Sequence, residues 1–395
     1  MIVFNSLGSN YSGRMVWQSL FSRSKGAGDK LAEYLQNRYK SEVVLTYKGR
    51  EALQLALKAA GLGSDAQVAI NGFTCYAVYR AITFAGLKPY YLDIERDSLQ
   101  FSADTLAKAV EKNPNIRAVI VQNTLGNPCD IVGIEKICQR HKLVLVEDLA
   151  HSIGARYIDG REVGTVGDFA MLSFGRDKLI DSVSGGVLVI NNHKYLDSLP
   201  SRLSDPPKSA QRHDKWYPLL SMKVRWAYKI GLGKLVHAAF RKLGFMSRSV
   251  DAEYYEGHGL SDRQAKLALE QLELLPTELL RRRKLGKIYQ ENLCRAMLVN
   301  TSSELVSRST NLRFAAYVEN RREVFSALQK KHIYISDTWY DTPIAPARYL
   351  SKTTYDHQCP VADEVASQII NLPTHRHITE SMAVEIAKAF NQCQQ

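Results

Sequence analysis

Short apolar runs alternate with amphipathic segments along the first half of the chain. The apolar runs predict strands at 43–46, 67–70, 89–92, 118–122, 143–146, 168–174 and 185–190, and the segments between them predict helices at 51–60, 76–84, 102–110 and 131–140. Strands that are apolar along their whole length are typical of a mostly parallel sheet covered by helices on both faces. We therefore predict an α/β domain whose chemistry lies at the carboxyl ends of its strands.

The alternation stops after Ile190, and the rest of the chain is organised differently. Prolines at 200, 206, 207 and 218 predict an irregular linker, which becomes a helical segment from Leu219 to Phe245. Further on, the pattern predicts helices at 261–275, 278–292, 322–331 and 380–390, and strands at 312–318 and 333–336. We predict a large domain over 1–198, a basic helical insertion over 199–257, and a long helix with a small α/β domain over 258–395.

Positive charge is concentrated in the predicted insertion. Residues 201–250 carry eleven Lys and Arg against two Asp, a net charge of +9 out of a formal +12 for the whole chain. Aromatic and aliphatic residues alternate there with basic ones, a pattern that suits an anionic membrane surface. The same pattern suits a helix packed on its own protein or on a partner subunit, so both interpretations stay open. No nucleic-acid-binding motif accompanies the charge, and we predict no nucleic acid partner.

Composition argues against several other classes of protein. No run approaches the roughly 18 apolar residues of a membrane-spanning helix, and the N-terminus does not resemble a signal peptide. We therefore predict a cytoplasmic protein, one that can lie peripherally on the inner membrane face. The cysteines have no Cys-x-x-Cys spacing and no His-rich partner cluster, which argues against a disulfide framework or a metal site. Without a Gly-x-Gly-x-x-Gly or Walker-type loop, a dinucleotide or ATP site has little support.

Residues at the ends of two consecutive predicted strands suit a pyridoxal phosphate cofactor. Asp148 ends one strand, where a carboxylate can keep the pyridine nitrogen protonated. Ser173 and Lys178 follow the next strand and can hold the phosphate and react with the cofactor aldehyde. The Gly49-Arg50 turn before a helix is a second phosphate candidate. An Asp after a strand is also a common helix cap and a turn Lys is commonly solvated, so these residues alone leave both interpretations nearly even.

Several motifs extend this pattern along the chain. They are Gly49 with its Ala- and Leu-rich helix, Phe73-Thr74, Tyr91-Leu92-Asp93-Ile94, Gly126-Asn127-Pro128, the run from Val146 to His151, Gly164-x-x-Gly167-Asp168, Ser173-Phe174 with Lys178, Gly185-Gly186, Ser261-Asp262-x-Gln264-Ala265, and the run from Asn371 to His375. Together they resemble the DegT/StrS family of pyridoxal-phosphate-dependent sugar aminotransferases. Only 201–257 and the N-terminal edge fall outside the resemblance.

The resemblance implies a fold, a reaction and a set of roles. The fold is fold type I, with a large domain built on a mostly parallel seven-stranded sheet covered by helices and a smaller C-terminal α/β domain. The family works as a dimer with sites at the interface, and it passes an amino group from a donor such as glutamate to a keto group on a nucleotide-linked sugar. By position, the cofactor residues are Lys178 as the covalent partner, Asp148 at the ring nitrogen, Ser173 with the Gly49-Arg50 turn at the phosphate, and His151 beside the ring.

The chain departs from the family at four places. It has Lys48-Gly49-Arg50-Glu51 where the family reads Ser-Gly-Thr-Ala, and Cys75 where an aromatic residue stacks on the ring, so Tyr76 becomes a candidate to cover it. Gly257-His258-Gly259 replaces an Asn-x-Arg that reaches across the dimer. The usual substrate turn reads Asp337-Thr338-Trp339-Tyr340-Asp341. We therefore name His258, Trp339 and Tyr340 as candidate substrate residues and expect an unusual acceptor.

These observations predict an aminotransferase that makes an amino sugar. The acceptor is predicted to be a nucleotide- or lipid-linked keto sugar used in surface polysaccharide or related biosynthesis, and the enzyme is predicted to be a homodimer. One alternative is another pyridoxal reaction on the same fold, such as dehydration or condensation. The family's sugar dehydratases carry His in place of the lysine, so Lys178 favours transamination. The other alternative is a non-catalytic member that binds a sugar nucleotide or a membrane.

Overall fold

The structure is a computed structural model that describes residues 2–21, 23–200, 203–246, 256–336 and 338–393. Its strands are β1 (Val3–Phe4), β2 (Glu42–Thr46), β3 (Gln67–Asn71), β4 (Thr74–Cys75), β5 (Lys88–Leu92), β6 (Ile116–Gln122), β7 (Val144–Asp148), β8 (Phe169–Ser173), β9 (Gly186–Ile190), β10 (Arg313–Tyr317), β11 (Ile333–Tyr334), β12 (Ile344–Ala345) and β13 (Ile369–Pro373).

The helices follow the same chain order. They are α1 (Gly13–Phe21), α2 (Ala27–Tyr39), α3 (Gly49–Ala59), α4 (Tyr76–Phe84), α5 (Ala103–Lys112), α6 (Ile131–His141), α7 (Lys208–Lys229), α8 (Gly233–Lys242), α9 (Asp262–Glu273), α10 (Leu275–Asn292), α11 (Ser303–Arg308), α12 (Arg321–Lys330), α13 (Pro360–Gln368) and α14 (Glu380–Gln392). Short 3₁₀ helices lie at Thr124–Gly126, His193–Ser198, Arg295–Met297 and Ala347–Lys352.

A seven-stranded sheet in the order β2-β9-β8-β7-β6-β3-β5 forms the large domain. The pairs from β8 through β7, β6 and β3 to β5 are parallel, whereas β9 runs antiparallel to both β8 and β2. The predicted mostly parallel seven-stranded sheet of fold type I is therefore confirmed. The carboxyl ends of β6, β7 and β8 meet at one edge of the sheet, which gathers the residues that end these strands.

Helices cover both faces of the sheet, as the apolar strands predicted. One hydrophobic cluster packs α3 and α4 on one face, and a second packs α2, α5, α6 and α9 on the other. Side chains such as Leu53 of α3 and Leu31 of α2 are fully buried. Burying one such side chain contributes about 1.5–3 kcal/mol, so the two clusters hold the sheet rigidly between its helices.

The C-terminal domain has its own small sheet and core. β10 pairs antiparallel with β13, and α10, α12 and α14 pack on this pair through a third apolar cluster. The N-terminal β1 pairs in parallel with β11, which joins the start of the chain to this domain. The apolar pattern did not predict β13, because Asn371 and Pro373 interrupt it, although both residues are part of the strand.

The helical part of the insertion begins earlier than predicted. The irregular linker was expected to extend to Pro218, but α7 begins at Lys208 and contains Pro218 in its interior. Proline costs a helix one backbone hydrogen bond. Here Tyr217 and Val224 on either side are buried in a cluster with Tyr11, Met15 and Val16 of the N-terminal segment. Tertiary packing therefore overrides the local helix-breaking preference of proline.

Tyr217 and Val224 of α7 pack the insertion against the N-terminal segment. Residues 201–202 and 247–255 lie outside the described residues, and the predicted boundaries at 198 and 257 stay a prediction. Across the segments that the structure describes, none of the helices combines the length and apolarity needed to cross a bilayer.

Glu147 and Asp148 are neighbours in β7, and their side chains point to opposite faces of the sheet because successive strand residues alternate. The Glu147 carboxylate accepts the backbone N–H groups of Gly164 (2.6 Å), Val166 (2.7 Å) and Gly167 (2.6 Å), and the Tyr157 hydroxyl donates to it at 2.7 Å. Glu147 therefore stabilises the loop that leads into β8. Asp148, on the other face, stays available at the carboxyl edge of the sheet.

Replacing Glu147 with alanine is expected to lower the free energy of unfolding by about 2–5 kcal/mol, because three largely buried amides lose their acceptor. Chemical denaturation followed by circular dichroism measures the loss. Glu111→Ala, on the exposed side of α5, is the matched control and should cost less than about 0.5 kcal/mol. Equal losses in the two variants would contradict the structural role of Glu147.

Candidate active site

A cavity of about 510 Å³ lies at the carboxyl ends of β6, β7 and β8, beside the N-terminus of α3. Its volume is in the range of small-molecule sites. The predicted residues that line it are Gly49, Arg50, Asp148, His151, Ser173, Lys178, Trp339 and Tyr340. The structure thus brings together residues from the large domain and from the turn before β12.

Asp148 and Lys178 face the same interior space from the ends of different elements. Asp148 ends β7, is 4% exposed, and accepts the backbone N–H of Ala150 at 2.8 Å. Burial raises the pKa of Asp148, and the Lys178 ammonium partly offsets the rise. Burial lowers the pKa of Lys178, while Cys75 and Asp148 act in the opposite direction. The lowered pKa favours the neutral, nucleophilic amine of Lys178.

A narrow cradle lies where α3 begins. Gly49 is its first residue, and a Cβ at this position would lie 2.9 Å from both Met171 Sδ and Ser173 Cβ. Only glycine therefore lets the chain approach β8 so closely. The positive end of the helix dipole at this helix start, together with the Ser173 hydroxyl, makes a suitable anion site.

Aromatic side chains also line the cavity. The His151 ring stacks on Trp339 with centroids 4.9 Å apart, and the Lys178 Nζ lies 4.3 Å from the Trp339 ring centroid. Tyr340 is buried and meets Phe73 edge to face at 5.1 Å. These contacts supply flat side chains beside the lysine.

His151 is held as a neutral ring. Its Nδ1 accepts the backbone N–H of Leu125 at 3.1 Å, which leaves the proton of a neutral ring on Nε2. Burial, with the charges of Lys178 and Arg313, holds the pKa of His151 well below its usual range. At neutral pH this side chain is therefore an uncharged hydrogen-bond donor.

Two predicted site residues lie elsewhere. Tyr76 was expected to cover the cofactor ring, but it stacks on Tyr349 with centroids 4.5 Å apart and does not line the cavity. His258 also lies outside the cavity lining, with Nδ1 at 2.9 Å from both the Ser204 hydroxyl and the Asp205 carbonyl. Its predicted substrate role stays a prediction.

Several lining residues were not predicted. Lys48, Arg176, Tyr217 and His237 all face the cavity. The first two were visible as basic residues next to predicted cofactor motifs. Tyr217 and His237 lie in the insertion, where no sequence signal indicated that α7 and α8 reach the site.

The chain is similar over most of its length to a family of known enzymes. The sequence model of the DegT/DnrJ/EryC1/StrS aminotransferase family matches residues 17–391. The GDP-perosamine synthase of Escherichia coli O157:H7 is 24% identical over 366 residues, which are 92% of this chain and 88% of that protein. The UDP-N-acetyl-3-dehydro-alpha-D-glucosamine 3-aminotransferase of Acidithiobacillus ferrooxidans is 26% identical over 346 residues, which are 87% of this chain and 82% of that protein.

Several solved structures share the fold. The PLP form of the putative sugar aminotransferase Spr1654 from Streptococcus pneumoniae superposes with a TM-score of 0.75 at 18% sequence identity. The match covers 100% of this chain and 98% of that one. At this identity the likeness speaks for the fold only.

Cys75 is expected to react slowly with alkylating reagents, because burial raises the pKa of its thiol and the thiolate is the nucleophile. Iodoacetamide at about pH 8 should label exposed Cys294 at least about 10-fold faster. Mass spectrometry of the two peptides over time measures the rates. The urea-unfolded protein is the control and should show similar rates, and similar rates in the folded protein would contradict the raised pKa of the Cys75 thiol.

Proposed function

The chain belongs to the DegT/DnrJ/EryC1/StrS aminotransferase family, and we propose that it transfers an amino group from an amino acid such as glutamate to a keto sugar, with pyridoxal phosphate as cofactor. The observation that carries the proposal is the cavity that Asp148 and Lys178 both line, with Ser173 and the start of α3 in the same lining. The predicted membership of this family is confirmed.

The donor set fits pyridoxal phosphate. The cradle at Gly49, which a Cβ would fill, and the Ser173 hydroxyl suit its phosphate. Asp148 is a buried carboxylate of the kind that pairs with a protonated ring nitrogen. Lys178 is an amine whose lowered pKa suits a reaction with an aldehyde.

The residues divide the work of the reaction. When bound, the cofactor supplies a cationic ring that accepts the electron pair of the bond broken at the amino-bearing carbon. The Asp148 carboxylate would keep the ring nitrogen of the cofactor protonated. The Lys178 amine would act as the general base and acid that moves a proton between substrate and cofactor carbons. His151 and Trp339 would cover and orient the ring, and exclude water from it.

The acceptor is proposed to be a keto sugar carried on a nucleotide or a lipid diphosphate. Support comes from the relatives, which are named for GDP- and UDP-linked sugars, and from Arg176 and Arg241 in the lining of the cavity. Cationic side chains suit a diphosphate. A homodimer is part of the proposal, and the mass of the protein in solution tests it.

The reconstituted protein is expected to show an absorbance band near the visible edge, which Lys178→Ala abolishes because the covalent partner of the cofactor is lost. Addition of glutamate should shift this band, because the amino group of glutamate then passes to the cofactor. Lys112→Ala, at the exposed end of α5, is the matched control and should keep both properties.

The other outcomes separate the alternatives. A band that no amino donor converts would favour a different pyridoxal reaction. A wild-type protein without any band after addition of pyridoxal phosphate would favour a non-catalytic binding protein.

A membrane-facing surface on the insertion is the second part of the proposal. Trp226, Ile230, Leu232, Leu235 and Leu243 of α7, α8 and their ends are each at least half exposed, which we call the outer face. Exposed lysines at 223, 229, 234 and 242 lie among them. Apolar side chains mixed with lysines complement an anionic bilayer surface, so this face is proposed to dock there.

Leu235→Glu with Leu243→Glu is expected to reduce co-sedimentation with phosphatidylglycerol vesicles roughly 10-fold or more, because both apolar insertion and charge attraction weaken. Ile158→Glu, which changes an equally exposed apolar residue of the large domain, should bind as wild type does. Unchanged binding of the double variant would overturn the proposal. A change of mass in solution would instead assign the outer face to contacts between copies.

A further inference from the structure

A buried polar cluster joins the insertion to the start of α3. Lys48 is 7% exposed, and its Nζ donates to the Ser184 hydroxyl at 2.5 Å. Asp214 of α7 is 3% exposed and accepts the Tyr47 hydroxyl at 2.8 Å and the Gln264 side-chain amide at 3.1 Å. The Lys48 ammonium and the Asp214 carboxylate attract each other within this cluster.

Charged side chains of both signs surround this lysine. Arg176 and Arg50 repel Lys48, whereas Asp214 and Glu51 attract it. The Glu51 carboxylate also accepts the backbone N–H of Lys48 at 3.0 Å. Counting Lys48 itself, three cations lie with these two carboxylates in or near a buried setting, where an anion would stabilise the cations.

Two more groups from the insertion complete the surroundings. The Arg176 guanidinium lies 4.0 Å from the Tyr217 ring centroid, and one of its nitrogens lies 3.4 Å from His213 Nδ1. His213 also approaches the Asp214 carboxylate at 3.4 Å. Residues of α7 therefore interact with both Lys48 and Arg176, which line the cavity beside the start of α3.

We propose that Lys48, positioned by Asp214 of the insertion, is a cationic ligand of the cofactor phosphate beside Gly49 and Ser173. The inference rests on the proposed function, since the anion is the phosphate of pyridoxal phosphate. Lys48 lines the same cavity as Gly49, Arg50 and Ser173. A phosphate dianion at the start of α3 would thus meet backbone amides, a hydroxyl and an ammonium together.

Protonation of Lys48 is then linked to binding of the phosphate. Burial, together with Arg176 and Arg50, lowers the pKa of Lys48 to about 8. The free protein therefore carries the charge at neutral pH and loses it as the pH rises through that value. Because the phosphate prefers the charged lysine, its contribution to affinity should decline over the same interval.

The test compares the affinity of the apoprotein for pyridoxal phosphate and for pyridoxal, which lacks the phosphate, between neutral pH and about pH 9.5. Both aldehydes react with the same Lys178 amine, so the ratio of their dissociation constants isolates the phosphate contribution. In the wild type this preference for the phosphorylated ligand is expected to fall above the pKa of Lys48. Absorbance titration measures both constants, without any activity assay.

Variants separate a ligand from a merely structural residue. Lys48→Met should reduce the preference about 10- to 100-fold near neutral pH and make it independent of pH. Lys48→Arg, charged throughout, should keep the preference high across the range. Asp214→Asn should move the decline to lower pH, because Asp214 raises the pKa of Lys48.

The double variant Lys48→Met with Asp214→Asn removes both members of the Lys48–Asp214 pair, so the Asp214 carboxylate is not left buried without the lysine that attracts it. It should show the same low, flat preference as Lys48→Met. If Lys48→Met or the folded double variant prefers pyridoxal phosphate over pyridoxal as strongly as the wild type does, this inference is overturned and the proposed function stays intact. A wild-type protein that forms no band with pyridoxal phosphate would overturn the proposed function, and this inference with it.

Discussion

Burial of charge at the carboxyl edge of the sheet is the constraint on which the site depends. Desolvation acts against the ionised form of both groups, since it raises the pKa of Asp148 and lowers that of Lys178. Each charge moderates the shift of the other, but they come from different elements and meet only if β7 and β8 stay in parallel register. Glu147 secures that register, because it binds the amides of the loop that enters β8. The end of β7 therefore carries both Glu147, which stabilises the fold, and Asp148, which lines the candidate active site.

The same constraint explains which residues could be predicted. Strands buried on both faces are apolar throughout, so their positions are visible in the sequence, and parallel strands bring their carboxyl ends together. Asp148, Ser173 and Lys178 followed from that rule. Tyr76 did not, because the direction of a side chain at the first residue of α4 depends on packing against Tyr349, far along the chain. Local sequence carries no signal for such a contact.

The insertion was the hardest segment to predict, for two physical reasons. Pro218 has a strong local preference against helix interiors, which tertiary packing of Tyr217 overrides. The buried stripe of α7 also contains Asp214, whose burial is compensated by Tyr47 and Gln264 from distant parts of the sequence. An Asp in a sequence normally predicts an exposed position, because an unpaired carboxylate is rarely buried. Only the partners that the fold supplies reverse that expectation.

The two faces of α7 carry different properties, and this limits how the insertion can be studied. Asp214, Tyr217, Ser221 and Val224 recur at helical spacing on the buried face, while Trp226 lies on the exposed one. Removing the whole insertion would take the acceptor from Tyr47 and Gln264 and leave Lys48 without its carboxylate. Loss of membrane binding after such a deletion would therefore be confounded with damage to the cofactor site. Point substitutions on the outer face leave the buried face in place, so they alone can assign the outer face to a membrane.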